Sequence, residues 1–434
     1  MKECIGIRRE DKNRWERRVP LVPEEVERLC KKGVRVLVQP SPIRAFDDES
    51  YRRAGAEISE DLSSCSLVLA VKEIPISLFR PGQAYLYFAH VIKGQPHNMP
   101  MLKKLLELGC TLMDYEKITD EKGKRLVFFG RHAGLAGMQD TLWALGQRLK
   151  TEGLNTPFAS LQPAHAYRDL QHLLEAVEET GRAIARDGVP PALRPMVFGF
   201  TGYGNVSGGA QEVFDRLPHV EIKPEQLDSL DRRQSLPVKV VFREEHMVEP
   251  AQPGLTFVLQ NYYNHPENYR GVFARYLPHI SVLVNCIYWA PRYPRLVTRA
   301  DLKQLWSRGE PRLKVIGDIS CDIEGSIECT LTCTTPDEPV FVYDVEQEKV
   351  RPGVQGRGPV VLAVDNLPCE IPVESSRDFS RALSPYTEAL ARADYSMPAE
   401  KLGLPAEMMR ALIVHRGKLT PAFEYLKTHV EKHG

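Results

Sequence analysis

The chain has 434 residues, too many for one ordinary hydrophobic core, so two or three domains are expected. Lys plus Arg and Asp plus Glu both total 57, and this zero formal charge argues against nucleic acid or an anionic membrane as the main partner. No apolar run approaches the roughly 18 residues of a membrane span, and "MKECIGIRREDK" lacks a signal peptide's apolar core, so a cytoplasmic protein is expected.

In chain order, "CIGI" reads as a strand and "VPEEVERLCKKG" as a helix stopped by glycine. Then come "VRVLVQ", the helical "DESYRRAG", "SLVLAV", "AYLYFAHV", the helix "MPMLKKLLELG" and "TLMDYEKI". Short β-rich runs separated by helices predict a parallel sheet covered on both faces. "AGLAGMQDTLWALGQRLKTEG" predicts a long helix, and another ends near residue 187 before the Pro-rich "DGVPPALRP". "MVFGF" starts a second series through "VEIK", "VKVVF", "LTFVLQ", "SVLVNCIYW" and "LKVIGDIS". After about residue 335 the alternation changes: "GPVVLAVDNLPCEIP" reads as strand and loop, and "SRDFSRALSPYTEALARAD" as helix.

The fold class is therefore α/β, two Rossmann-like lobes with parallel sheets, an interlobe cleft and a C-terminal segment returning to the first lobe. The expected boundaries are 1–131 with 335–434 for a substrate-binding lobe, and 132–334 for a dinucleotide-binding lobe. Nine cysteines are scattered along the chain. Cys329 and Cys333 lack a histidine or further cysteine at ligand spacing, so buried free thiols and no metal are expected.

"TGYGNVSGGAQEVFDRL" follows the strand "MVFGF" and leads into a helix. Gly202 permits the sharp turn, Gly204 lets backbone approach a pyrophosphate, and the helix start behind them offers free N–H groups. Ser207 occupies the third position of the GxGxxG pattern, with Gly208 and Gly209 just after it. No acidic residue stands clearly at the end of the next strand; Lys223 lies there between Glu221 and Glu225, and a lysine suits a 2′-phosphate. NADP is thus the preferred cofactor, with NAD as the alternative.

Ligands of open α/β sheets bind beyond the carboxyl ends of strands. In the first series those ends carry Arg8, Arg9 and Glu10; Lys72 and Glu73; His90; Glu116; and, after "VFFG", Arg131. Arg, Lys and His so placed suit a substrate bearing carboxylates, with Lys or His available for proton transfer. Asp318 and Asp322 occupy the corresponding place after a second-lobe strand.

In order, "RREDKNRWERRVPLVPEEV", "LAVKE", "YFAHVIKG", "DYEKI", "FFGRHAGLAGM", "TGYGNVSGGA", "NCIYW", "GDISCDIEGSIE" and "VDNLPCEIPVE" resemble the lysine-ketoglutarate reductase half of aminoadipic semialdehyde synthase. That half is saccharopine dehydrogenase of the lysine-forming type; a more distant resemblance is to alanine dehydrogenase and transhydrogenase. The resemblance implies that Lys72 and His90 are an acid/base pair and that Arg18 binds a substrate carboxylate. Arg8 or Arg9 matches a second such arginine, with Arg9 taken as the candidate. Glu116 matches a substrate-side carboxylate, Asp318 and Asp322 approach the nicotinamide and the substrate nitrogen, and Arg131 departs from the pattern. Cofactor contacts are expected from Thr201, Gly202, Gly204, Asn205, Val206, Lys223, Asn285 and Asp318. The implied reaction condenses L-lysine with 2-oxoglutarate to saccharopine, the first step of lysine catabolism. In animal and plant relatives a saccharopine-oxidising half follows; ending at Gly434, this chain is expected to lack it. A homo-oligomer and a separate saccharopine-oxidising enzyme are the protein partners compatible with the resemblance. Two other functions compete: an alanine-dehydrogenase-type enzyme using ammonia, and a non-catalytic nucleotide-binding module. The second predicts loss of a proton-transfer group, yet Lys72 and His90 are both present.

Overall fold

The computed structural model describes residues 3–434, which form two compact units, one of residues 3–129 with 372–434 and one of residues 130–371. The first stretch runs through β1 (Cys4–Ile7), α1 (Pro23–Lys31), β2 (Arg35–Val38), α2 (Asp48–Arg53), β3 (Glu57–Ile58), β4 (Leu67–Leu69), β5 (Ala84–Tyr87), α3 (Met99–Glu107) and β6 (Thr111–Asp114). Local chemistry sets the helix ends. Pro23 opens α1 with Glu24 and Glu25 in its first turn, and Gly33 follows it with φ +82°. Asp47 caps α2 by accepting a bond from the Ser50 N–H.

The middle stretch comprises α4 (Gly130–Thr151), α5 (Leu170–Asp187), β7 (Val197–Thr201), α6 (Asn205–Phe214), β8 (Val220–Ile222), β9 (Val238–Phe242), α7 (Glu244–Met247), β10 (Val248–Pro250), α8 (Leu259–Asn264), β11 (Tyr269–Gly271), β12 (Val282–Asn285), α9 (Arg299–Ser307), β13 (Val315–Asp318), β14 (Val340–Asp344), β15 (Lys349–Pro352) and β16 (Val360–Leu362). The chain then returns to the first unit with α10 (Pro372–Arg392), α11 (Ala406–Arg410), β17 (Leu412–His415), β18 (Lys418–Leu419) and α12 (Leu426–His433).

Each unit is built on one eight-stranded sheet, ordered β18-β17-β6-β5-β4-β1-β2-β3 in the first and β15-β14-β16-β13-β12-β7-β9-β8 in the second. The six strands from β6 to β3, and the six from β16 to β8, pair in parallel; β17, β18, β14 and β15 are antiparallel additions. In the second unit Val282 and Val284 pack on one face with α4, α5 and α6, while Leu283 faces the opposite cluster with α9. That alternation is the period of two expected of a strand buried on both sides.

Three expectations need correction. The second crossing between units lies at Ile371–Pro372, not at residue 335, because the hairpin β14–β15 and β16 extend the second sheet. "LTFVLQ" is not a strand: Leu255 and Val258 are more than half exposed, and Leu259 opens α8. "VFFG" is not a strand either, so Arg131 sits in the first turn of α4, in the second unit.

Candidate functional site

In the first unit the ends of β1, β4 and β5 gather a dense set of charges. Phe88 N–H donates to the Val71 carbonyl at 3.2 Å, so the segments carrying Lys72 and His90 leave neighbouring strands side by side. Glu10, just beyond β1, accepts from the backbone N–H of Val71 at 2.6 Å and of Lys72 at 3.0 Å. Burial, and then the charge of Glu16, push the Glu10 carboxyl up to about 7 against those bonds. Lys72 is half-buried; burial and the nearby Arg18 cation lower its pKa from the ordinary lysine value. A lysine so depressed can exchange protons nearer neutral pH than an exposed one.

His90 has φ +50°, a strained conformation for a non-glycine residue that turns the chain sharply after β5. Its Nδ1 lies 2.5 Å from Glu73 Oε1, and its carbonyl accepts from Asn98 Nδ2 at 3.0 Å. Burial works against the Glu73 charge, but the hydrogen bond and charge of His90 hold its carboxyl down at about 2. Glu73 therefore fixes the imidazole by its Nδ1 and orients Nε2 away from the carboxylate. Lys12 reaches the same carboxylate at 3.7 Å.

Arg18 is 2% exposed and forks onto Glu16, with Nε 2.8 Å from Oε1 and a terminal nitrogen 2.6 Å from Oε2. Its guanidinium carbon lies 4.2 Å from the Phe129 ring centroid. Of the two arginines left open by the sequence, Arg8 is buried and binds Asp11, whereas Arg9 is partly exposed and sets one guanidinium nitrogen between the two Glu60 carboxylate oxygens at 2.8 and 2.9 Å. Glu116 accepts from Arg125 at 2.8 Å. Arg131, in the second unit, makes a bidentate pair with Glu212 of α6 at 2.7 and 2.9 Å. Glu73 was expected at its strand end beside Lys72, whereas Glu16 had no motif of its own to announce it, although it stands two residues from Arg18.

In the second unit Gly202, with φ +82°, turns the chain after β7, and its N–H donates to the Phe242 carbonyl at 3.0 Å. Gly204 caps α6, and a Cβ built on it would meet nothing within 4 Å. The space over Gly204 and the N–H groups opening α6 at Asn205 and Val206 fit a diphosphate. A Cβ on Gly209 would stand 2.0 Å from the Arg131 carbonyl oxygen, and one on Gly134 2.0 Å from that of Val206. The close-packing glycine of this turn is therefore Gly209, paired with Gly134 where α6 crosses α4, and Ser207 at the expected position is simply buried.

Thr201, Asn285 and Asp318 end β7, β12 and β13, all 0% exposed. Thr201 Oγ1 donates to Asn285 Oδ1 at 2.9 Å, and Asn285 Nδ2 donates to Asp318 Oδ1 at 2.8 Å. Ser320 and Thr330 hydroxyls complete the Asp318 carboxylate at 2.7 and 2.6 Å. Asn285 thus ties three strand ends together, while Asp322 is exposed on the loop beyond. Lys223 is exposed at the end of β8, which is separated from β7 by β9.

Residues 6–136 match the N-terminal domain, and residues 267–422 the C-terminal domain, of the alanine dehydrogenase/PNT family. The chain belongs to that family. Family membership supports a nicotinamide dinucleotide as the cofactor. The chain is 41% identical over 97% of its length to an alpha-aminoadipic semialdehyde synthase of Arabidopsis thaliana, and 37% identical over 98% to the mitochondrial synthase of Rattus norvegicus. It spans 41% and 48% of those proteins, less than half of each. A saccharopine dehydrogenase [NAD(+), L-lysine-forming] of Emericella nidulans is 27% identical over 85% of the chain and 88% of that protein. Among solved structures, an L-alanine dehydrogenase superposes with TM-score 0.59 at 17% identity, covering 98% of this chain and 99% of that one. A transhydrogenase from Sinorhizobium meliloti gives 0.53 at 15% identity, covering 96% and 100%. Both share the two-domain α/β fold.

Proposed function

We propose that the chain condenses the ε-amine of L-lysine with the keto carbon of 2-oxoglutarate and reduces the imine to saccharopine, with NADPH preferred to NADH. The first unit would hold the amino and keto acids, and the second the dinucleotide. The observation that carries the reading is the pairing of a half-buried, pKa-depressed Lys72 with a His90 held by Glu73 at adjacent strand ends. The relatives named for aminoadipic semialdehyde synthesis and saccharopine dehydrogenation support it.

Free lysine is mostly ammonium at neutral pH, its side-chain pKa being about 10.4, so one group must take a proton before the amine attacks. A second must protonate the hydroxyl that leaves the carbinolamine. Lys72 and His90 supply those two groups, and Glu73 keeps the imidazole in one orientation throughout. The substrates bring three carboxylates to the site, which gives Arg18 and Arg8 or Arg9 counter-charges to provide. A bound dinucleotide supplies the hydride that reduces the imine. Asn285, bonded to Thr201 and Asp318, holds the strand ends of the second unit together, and Asp322 is exposed on the loop beyond.

Lys72→Met and His90→Gln are each expected to lower kcat by roughly 10²–10⁴ while leaving dinucleotide affinity unchanged. Near-normal turnover of lysine and 2-oxoglutarate by both variants would remove this cluster from the reaction.

A further inference from the structure

The strand that follows α6 in sequence is β8, but the strand that lies against β7 is β9. Thr201, the last residue of β7, pairs with Phe242, the last of β9, and Gly202 N–H donates to the Phe242 carbonyl. The residue at the rim beside the glycine turn is therefore Arg243. Lys223 is one strand farther out, and because Ile222 pairs with Val240 it is level with Val241, two residues below the rim. At about 4.8 Å between strands and about 3.3 Å per residue, Lys223 starts roughly 5 Å sideways and 7 Å down from Arg243.

In a fold of this kind the end of the strand next to the glycine turn faces the adenosine ribose; an acid there takes the 2′-hydroxyl and a guanidinium takes a 2′-phosphate. Both chemistries occur here, at Arg243 and Glu244. Glu244 Oε1 accepts from Tyr263 at 2.6 Å and lies 3.5 Å from the Tyr203 hydroxyl. Arg243 is exposed and makes no ion pair among the described residues. Its guanidinium carbon stands 4.8 Å from the ring centroid of Tyr203, the residue between the two loop glycines. Stacking fixes the plane of the guanidinium and leaves its edge donors for an anion. The backbone beneath is pinned as well: Arg243 N–H donates to His246 Nδ1 at 2.9 Å, and His246 Nε2 lies 3.0 Å from Glu225.

We propose that Arg243, laid against Tyr203 of the glycine loop, binds the 2′-phosphate of the cofactor and sets the preference for NADP(H) over NAD(H). This rests on the reading that the 202–209 loop holds a nicotinamide dinucleotide. Binding is measured by calorimetry on the whole chain with NADP⁺, NAD⁺ and adenosine 2′,5′-bisphosphate. The unsubstituted protein is expected to bind NADP⁺ more tightly than NAD⁺. Arg243→Ala weakens NADP⁺ and the bisphosphate by about 10–100-fold, the worth of charge-assisted hydrogen bonds, and leaves NAD⁺ within about threefold. Arg243→Lys falls between, because lysine keeps the charge but not the planar fork. Added salt narrows the gap between NADP⁺ and NAD⁺ in the unsubstituted protein more than in Arg243→Ala. The proposal is overturned if Arg243→Ala weakens both dinucleotides alike or neither, if the loss follows Lys223→Ala instead, or if the unsubstituted protein favours NAD⁺. If it binds no dinucleotide at all, the cofactor reading itself has failed.

Discussion

Alanine at Gly208 and alanine at Gly209 are chemically the same change on adjacent residues of α6, yet opposite effects are expected. At Gly208 the new methyl points into open space, with nothing within 4 Å. Removing a flexible glycine from a helix then stabilises by up to about 1 kcal/mol. At Gly209 the methyl meets the Arg131 carbonyl oxygen at 2.0 Å and the Leu135 nitrogen at 3.1 Å. Both partners belong to the backbone of α4, so neither can swing aside, and the two helices must part by about 1 Å. Overpacking of this kind costs about 1–3 kcal/mol, or roughly 2–10 °C of melting temperature for a unit of this size. The same displacement moves the start of α6, so dinucleotide affinity falls with it. Calorimetric melting of the cofactor-free protein reads the first effect, and NADP⁺ titration the second. Equal melting temperatures for the two variants would refute the close approach of α4 and α6 and its role in holding the phosphate-binding turn.

Arg18→Ala is expected to lose about 3–5 kcal/mol of stability as well as keto-acid affinity, because it strands the buried Glu16 carboxylate; Arg18→Ala with Glu16→Ala should melt higher than the single variant. Burial first, and then a neighbouring acid, raises Glu10 and Asp114 to about 7, and burial raises Glu370 to about 8. The folded state thus holds protons that the unfolded chain has released, so stability falls as pH rises from about 4 to about 8, by on the order of 3–5 kcal/mol for each group. Glu73, held at about 2, acts oppositely: its stabilisation is present above about 4.5 and is lost as pH falls toward 2. Melting temperature against pH should therefore peak on the acid side of neutrality, and Glu10→Gln should flatten its alkaline limb; a curve rising from pH 6 to 8 contradicts these assignments.

Local pattern carried most of the fold. The buried runs "CIGI", "SLVLAV" and "AYLYFAHV" became the parallel centre of the first sheet, and the residues just past their ends supplied Glu10, Lys72, Glu73 and His90. Adjacency was harder to read. β8 comes next in sequence but β9 comes next in space, so order along the chain points to Lys223 while the strand beside β7 ends at Arg243. The change of pattern after residue 335 reflected an antiparallel hairpin on a parallel sheet, and hydrophobic period alone does not say which sheet a hairpin joins. "LTFVLQ" has a strand's composition but exposed side chains, since its neighbours never cover it. The Glu16 partner of Arg18 is a tertiary fact too, because spacing of two residues in a loop does not dictate a fork.

The identity of the two carbon substrates is open to one direct measurement. The purified chain is supplied with NADPH and 2-oxoglutarate, and then separately with lysine, ornithine or ammonia, while nicotinamide absorbance is followed and the product is identified by mass. Oxidation is expected to require lysine and 2-oxoglutarate together and to yield saccharopine in one-to-one proportion with NADPH consumed. Oxidation with ammonia in place of lysine, or none with the lysine pair, would contradict that expectation.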